Sequence, residues 1–173
     1  MPLRLRLVLL PLTTVLLASV APSSGAAPIA GWAWPVVGPV ILGFDPPSTP
    51  FGAGHRGIDI AAPVGTPVRA PAPGVVAFAG AVAGHLFVTV DHGGGLASTF
   101  SWVSAILVRK GDAVARGSAL ALTGTGHPGV EPPHLHFGVR LDGNYVDPLG
   151  FLAPLSLVGL IRLAPIPAPT AMG

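Results

Sequence analysis

Glycine and proline cut this chain into short pieces. The 173 residues include 24 Gly and 21 Pro. Proline breaks helix interiors and glycine weakens them, so long helices are a poor scaffold for this sequence. The runs left between them are rich in Val, Ala, Leu and Phe, and short apolar runs bounded by turn residues read as strands. Strands are expected at 40–44, 58–61, 67–70, 74–80, 86–91, 96–103, 106–108, 119–123, 134–140 and 145–146, with Gly93-Gly94-Gly95 as a hairpin turn. The expected fold class is all-β, built on an antiparallel sheet. Half of the residues are hydrophobic and 9% are charged, which is enough apolar material for the core of one modest domain.

Two clusters carry ligand chemistry. The first is His55-Arg56-Gly57-Ile58-Asp59, and the second, about 75 residues later, is His134-Leu135-His136. Side chains two apart on a strand share a face, and so do side chains four apart on a strand or a helix. Each cluster can therefore aim two members at one point. Neutral imidazole and carboxylate suit zinc, and three protein ligands that leave one position open define a catalytic rather than a structural site. The chain has six histidines, and three of them fall in this pattern.

At these residues the chain resembles the lysostaphin-type zinc endopeptidases, the LytM group, which cut peptide bonds in bacterial peptidoglycan. That family's first motif is His-x-Gly-x-Asp followed by an apolar, proline-containing stretch, matched here from His55 to Val68. Its last motif is His-x-His followed by an aromatic residue, matched by His134-Leu135-His136-Phe137. Between them, Ala72-Pro73-Gly74-Val75-Val76, the run 90–96 and the run 111–117 are also family-like, and Asp147-Pro148-Leu149 closes the match. The resemblance spans about Trp34 to Leu152. It implies a groove in the sheet with the metal at its floor, Zn2+ as the cofactor, and His55, Asp59 and His136 as its ligands. It implies for His134 the role of general base or transition-state donor. The implied substrate is a peptide of the peptidoglycan cross-link.

One position departs from that pattern. Active members carry a further histidine in a Tyr-x-His-Leu-Ser stretch, and the matching run here is Phe100-Ser101-Trp102-Val103-Ser104. An indole donates one hydrogen bond and accepts no proton. Loss of an acid–base or oxyanion group costs a factor of roughly 10² to 10⁴ in rate. Two readings stand: a slowed secreted hydrolase, or an impaired zinc-binding wall module that binds peptidoglycan or regulates another hydrolase. His127, Glu131 and Tyr145 are candidates to substitute for the absent histidine, although the Gly124–Gly129 run makes an exposed loop the simpler expectation for His127. His92 reads as a turn residue and His85 as a strand entrance. Ser98, Ser101 and Ser104 lack a triad beside them.

The remaining features concern the compartment. Arg4 and Arg6, the apolar run 7–18 and Ser24-Gly25-Ala26 have the form of a secretory signal peptide over 1–26, with cleavage after Ala26. The alternative is a retained anchor, but the apolar run falls short of the ~20 residues that span a bilayer. The mature chain then divides into an entry segment 27–38, a peptidase domain 39–152 and an apolar, proline-rich tail 153–173, in which 155–163 is a candidate helix or strand. There is no cysteine, so neither disulfides nor thiolate ligands contribute. Removing Arg4 and Arg6 from nine basic residues leaves seven against seven acidic ones, a balance that gives no reason to expect nucleic acid binding. A monomer, secreted or held in the cell envelope, with no span after signal cleavage, is expected.

Overall fold

The computed structural model describes residues 31–49 and 52–154; the signal segment and the 155–163 element lie outside them. The strands are β1 (Val40–Leu42), β2 (Ile58–Ala61), β3 (Pro67–Arg69), β4 (Gly74–Val82), β5 (His85–Asp91), β6 (Leu96–Ile106), β7 (Ala113–Val114), β8 (Ala119–Thr123), β9 (His134–Leu141) and β10 (Asn144–Val146). One 3-10 turn, Pro148–Gly150, follows, with the Asp147 side chain accepting from the Leu149 amide. The strands form a 10-stranded sheet ordered β1-β2-β9-β6-β5-β4-β7, with β10 on β9, β8 on β6 and β3 on β8. The pairings are antiparallel. Among the described residues no helix is long and apolar enough to cross a membrane.

The all-β expectation is met, and the differences are local. The expected strand at 106–108 does not stand alone, because β6 runs on through Ile106 and Leu107 continues its bonding to the Leu120 carbonyl. The two-residue β7 pairs with the start of β4 and is too short to leave a periodic signal. Two tight hairpins place both turn residues at positive φ: Ala83-Gly84 at 49° and 83°, and Asp142-Gly143 at 49° and 81°. That is the turn whose twist matches paired strands.

Period-two alternation separates two chemistries on the central strands. Ile58 and Ile60 of β2, Leu135 and Phe137 of β9 and Phe100 of β6 point to the core and are fully buried. Ile58 lies opposite Phe137, which lies opposite Phe100, and those two rings are 5.4 Å apart. The residues between them, Asp59, His134, His136 and Ser101, face the other way and build the site. Gly57 lets β2 come close to β9: a Cβ there would collide with the Phe137 carbonyl and the His136 ring.

Away from the site, the entry and exit of the domain are tied together. The Trp32 amide donates to the Phe151 carbonyl, the Ala153 amide donates to the Trp32 carbonyl, and Trp34 Nε1 donates to the Ala153 carbonyl. The Trp32 ring packs on Phe151 and on His92. His92 leaves β5 at the turn, as expected, but it also braces it. Its Nδ1–H donates to the Pro73 carbonyl at 2.8 Å, and its Nε2 accepts from the Ser98 hydroxyl at 2.8 Å. Burial lowers the pKa of His92, against smaller raising effects from the Pro73 carbonyl and Asp91.

Two predictions follow from this packing. Because the folded pKa of His92 lies below its unfolded value of about 6.5, its contribution is intact above that pH and is lost as pH falls through the folded value. Thermal unfolding followed across this range should show a wild-type melting temperature that falls more steeply with acid than that of His92→Gln. Separately, Gly57→Ala should cost about 1–3 kcal/mol in denaturant unfolding, as overpacking does; an unchanged midpoint would mean that the β2–β9 approach has slack.

Candidate metal centre

Strand register builds the centre. Asp59 on β2 sits directly opposite His136 on β9, and Ser101 on β6 lies opposite His136 from the other side. His134, two residues before His136, lies on the same face opposite Ala61. His55 precedes β2 and is fixed by a two-way backbone bridge with Asp45. From there its Nδ1 reaches the Gly43 carbonyl at 2.7 Å.

Three donor atoms converge. His55 Nε2 is 3.1 Å from Asp59 Oδ1 and 3.0 Å from His136 Nδ1, and His136 Nδ1 is 2.9 Å from Asp59 Oδ1. A carbonyl only accepts, so the His55 proton on Nδ1 is committed to Gly43, and in the neutral ring Nε2 presents a lone pair. A lone pair facing a carboxylate oxygen at that distance is repulsive unless a cation lies between them. Ligating histidines typically anchor their outer N–H in this way. The donor set and its near-equilateral spacing fit zinc, whose nitrogen and oxygen ligands sit about 2.0–2.2 Å from the metal.

Asp59 has no exposed surface. Burial alone raises its pKa, but the hydrogen bond from His136 and the fields of His136, His55 and His127 outweigh that, and the net shift is downward. His136 is also lowered, first by burial and further by His55 and His127, with Asp59 opposing. The carboxylate is therefore ionised and the His136 imidazole neutral near neutral pH, the forms in which each binds a metal.

The other candidates separate clearly. His127 is not a free loop residue: its Nε2 lies 3.0 Å from Asp59 Oδ2, and His55, Asp59, His127 and His136 offer ligand atoms all within 4.8 Å of one another. The Gly-Thr-Gly-His-Pro-Gly run just ahead of His-x-His was the available signal. His134 is fully buried, with Nδ1–H donating to the Pro132 carbonyl at 3.1 Å and Nε2 accepting the His127 amide at 3.2 Å. Tyr145 lines the groove beneath the Arg140 guanidinium, 5.2 Å from its ring centre. Glu131 is exposed and does not line the groove.

The groove encloses about 770 Å³ over the site face of β5, β6 and β9, with His55, His127 and His136 in its lining. Trp102 forms part of its wall. Leu86 pairs with Val103 and Phe87 with Ser101, so Trp102 is the extra residue of a bulge. Its φ is +62°, a left-handed conformation costing a non-glycine residue about 1–3 kcal/mol. Bulges re-aim side chains beside functional sites. Here the indole stacks on His85, with ring centres 3.8 Å apart, and meets His127 edge-on at 6.1 Å.

The model of peptidase family M23 matches residues 53–148. The chain is 37% identical over 139 residues to a Pseudomonas aeruginosa protein named as a lipoprotein NlpD/LppB homolog, covering 76% of this chain and 45% of that one. It is 34% identical over 132 residues to the murein hydrolase activator NlpD of Salmonella typhimurium, covering 75% and 33%. A zinc-containing peptidase from Vibrio cholerae has the same fold, with a TM-score of 0.60 at 30% identity over 73% of this chain and 41% of that one. The chain spans about half the length, or less, of the curated relatives it matches. It belongs to peptidase family M23.

Proposed function

We propose that this chain is a zinc endopeptidase that hydrolyses peptide cross-links of bacterial peptidoglycan in the cell envelope. The observation that carries this reading is the convergence of His55 Nε2, Asp59 Oδ1 and His136 Nδ1 at the groove floor, with the His55 proton committed to a carbonyl. Family membership supports peptidase chemistry, and the lipoprotein and murein hydrolase activator among its relatives support the wall as its setting.

In this reading His55, Asp59 and His136 hold the metal. Zinc, when bound, supplies Lewis acidity, polarising a carbonyl and acidifying a water. The chain's own residues do the rest. The groove over β5, β6 and β9 takes an extended peptide, with the Phe78 and Phe87 side chains and the Trp102 indole excluding water from one wall. His134 is the proton-handling residue of this proposal. Its Nε2 lies 3.8 Å from Asp59 Oδ2 and must exchange the His127 amide for the reacting water.

A second reading rests on a specific observation. Both nitrogens of His134 are engaged, and by the sequence resemblance Trp102 stands where active members carry a histidine; such a site suits a module that holds metal and wall peptide and activates another hydrolase. Incubating the zinc-loaded protein with purified peptidoglycan separates the two. The enzyme reading predicts newly freed amino termini, abolished in His136→Ala together with most of the bound zinc; binding to the wall without new termini would establish the module. Under the enzyme reading, Trp102→His restores a side chain that can carry charge and should raise kcat ~10-fold or more. The gain should appear in kcat rather than KM, since the contact strengthens in the transition state. An unchanged kcat in folded, zinc-loaded Trp102→His would make Trp102 a packing residue.

A further inference from the structure

We propose that His127 is a fourth protein ligand of the metal, carried on a loop whose seat is the ring of His134. The inference rests on the zinc reading above and goes beyond it, because a fourth protein ligand turns an open site into a closed one.

The first support is the tautomer of His127. Its Nδ1 lies 3.2 Å from the Pro128 carbonyl and its Nε2 3.0 Å from Asp59 Oδ2. Both oxygens only accept, so a neutral ring donates to one of them alone; with the proton on Nδ1, the Nε2 lone pair faces the carboxylate oxygen. This repeats the arrangement at His55, where Nδ1–H goes to the Gly43 carbonyl and Nε2 faces Asp59 Oδ1. Two imidazoles, each with its outer nitrogen beside a backbone carbonyl, thus flank the two oxygens of one fully buried carboxylate. A cation between them relieves both repulsions at once. The ligand atoms of His55, Asp59, His127 and His136 lie within 4.8 Å of one another, which puts His127 Nε2 beside the other three donors as the fourth.

The second support is the way the loop is held. The His127 amide donates to His134 Nε2, and His134 Nδ1–H donates to the Pro132 carbonyl. Gly126, at φ +85°, packs so tightly that a Cβ would fall within the His134 ring. Gly129, at φ +87°, supplies a second position of backbone freedom after His127. His134 therefore acts on His127 as a positioning residue while the loop is down. Lifting the loop does two things in one motion: it vacates the fourth metal position and frees His134 Nε2 for a substrate. Seated, the loop fills the fourth metal position; raised, it exposes metal and base together.

X-ray absorption fine structure on the full-length, zinc-loaded protein counts imidazoles directly. The wild type should show three histidines, His127→Ala two, and zinc extraction by a chelator should be ~10- to 100-fold faster in His127→Ala. Gly126→Ala keeps the ring but unseats the loop and should also lose the third imidazole. Two imidazoles in the wild type would overturn the inference and leave His127 as an ion-pair partner of Asp59 only, with the three-ligand reading intact. Absence of bound zinc would overturn that reading as well. If His127→Ala does not fold, nitrogen-15 NMR of the wild-type His127 ring decides: movement of Nε2 to a metal-coordinated shift on adding zinc supports ligation, and a protonated Nε2 in the zinc form contradicts it.

Discussion

A carboxylate with no exposed surface organises this molecule. Asp59 sits between Ile58 and Ile60, both fully buried, on a strand enclosed on both faces. Removing a charge from water costs several kcal/mol unless partners replace the solvent. Four imidazole nitrogens surround the carboxylate, His136 at 2.9 Å, His127 at 3.0 Å, His55 at 3.1 Å and His134 at 3.8 Å, and the metal proposed above would supply the balancing charge between them. They come from the bridge before β2, the loop after β8 and the start of β9, so the carboxylate ties segments that are distant in sequence. The sheet supplies the precision: Asp59 and His136 face each other across a β2–β9 register that the core residues Ile58 and Phe137 lock from the opposite face. A one-residue slip would exchange the apolar and ligand faces.

Much of this was legible in the sequence because it is periodic or local. The strand runs were bounded by turn residues, and the proposed ligands His55, Asp59 and His136 are written in two short clusters, of which alternation sends Asp59 and His136 to one face. What was not legible depends on contacts between distant segments. The placement of His127 needs the fit of Gly126 against the His134 ring, a contact across the β8–β9 loop. The engagement of His134 follows from the same fit and from the position of the Pro132 carbonyl. β7 is only two residues long and exists because β4 offers it an edge.

Trp102 shows how a bulge re-aims a side chain beside a site. The extra residue between Ser101 and Val103 turns its indole into the groove. An indole held at φ +62° is strained, and its stack on His85 and edge contact with His127 offset part of that cost. The indole makes one wall of the groove bulky and apolar directly beside His127. Substitution at this position therefore bears on both the groove and the loop.

The central claim is that register and burial bring the two histidine clusters onto one metal. Anomalous diffraction from crystals of the zinc-loaded protein, collected on both sides of the zinc absorption edge, tests it most directly. The account predicts a single edge-dependent peak within bonding distance of His55 Nε2, Asp59 Oδ1 and His136 Nδ1. A peak that includes His134 but excludes His136, or one lying away from Asp59, would contradict it.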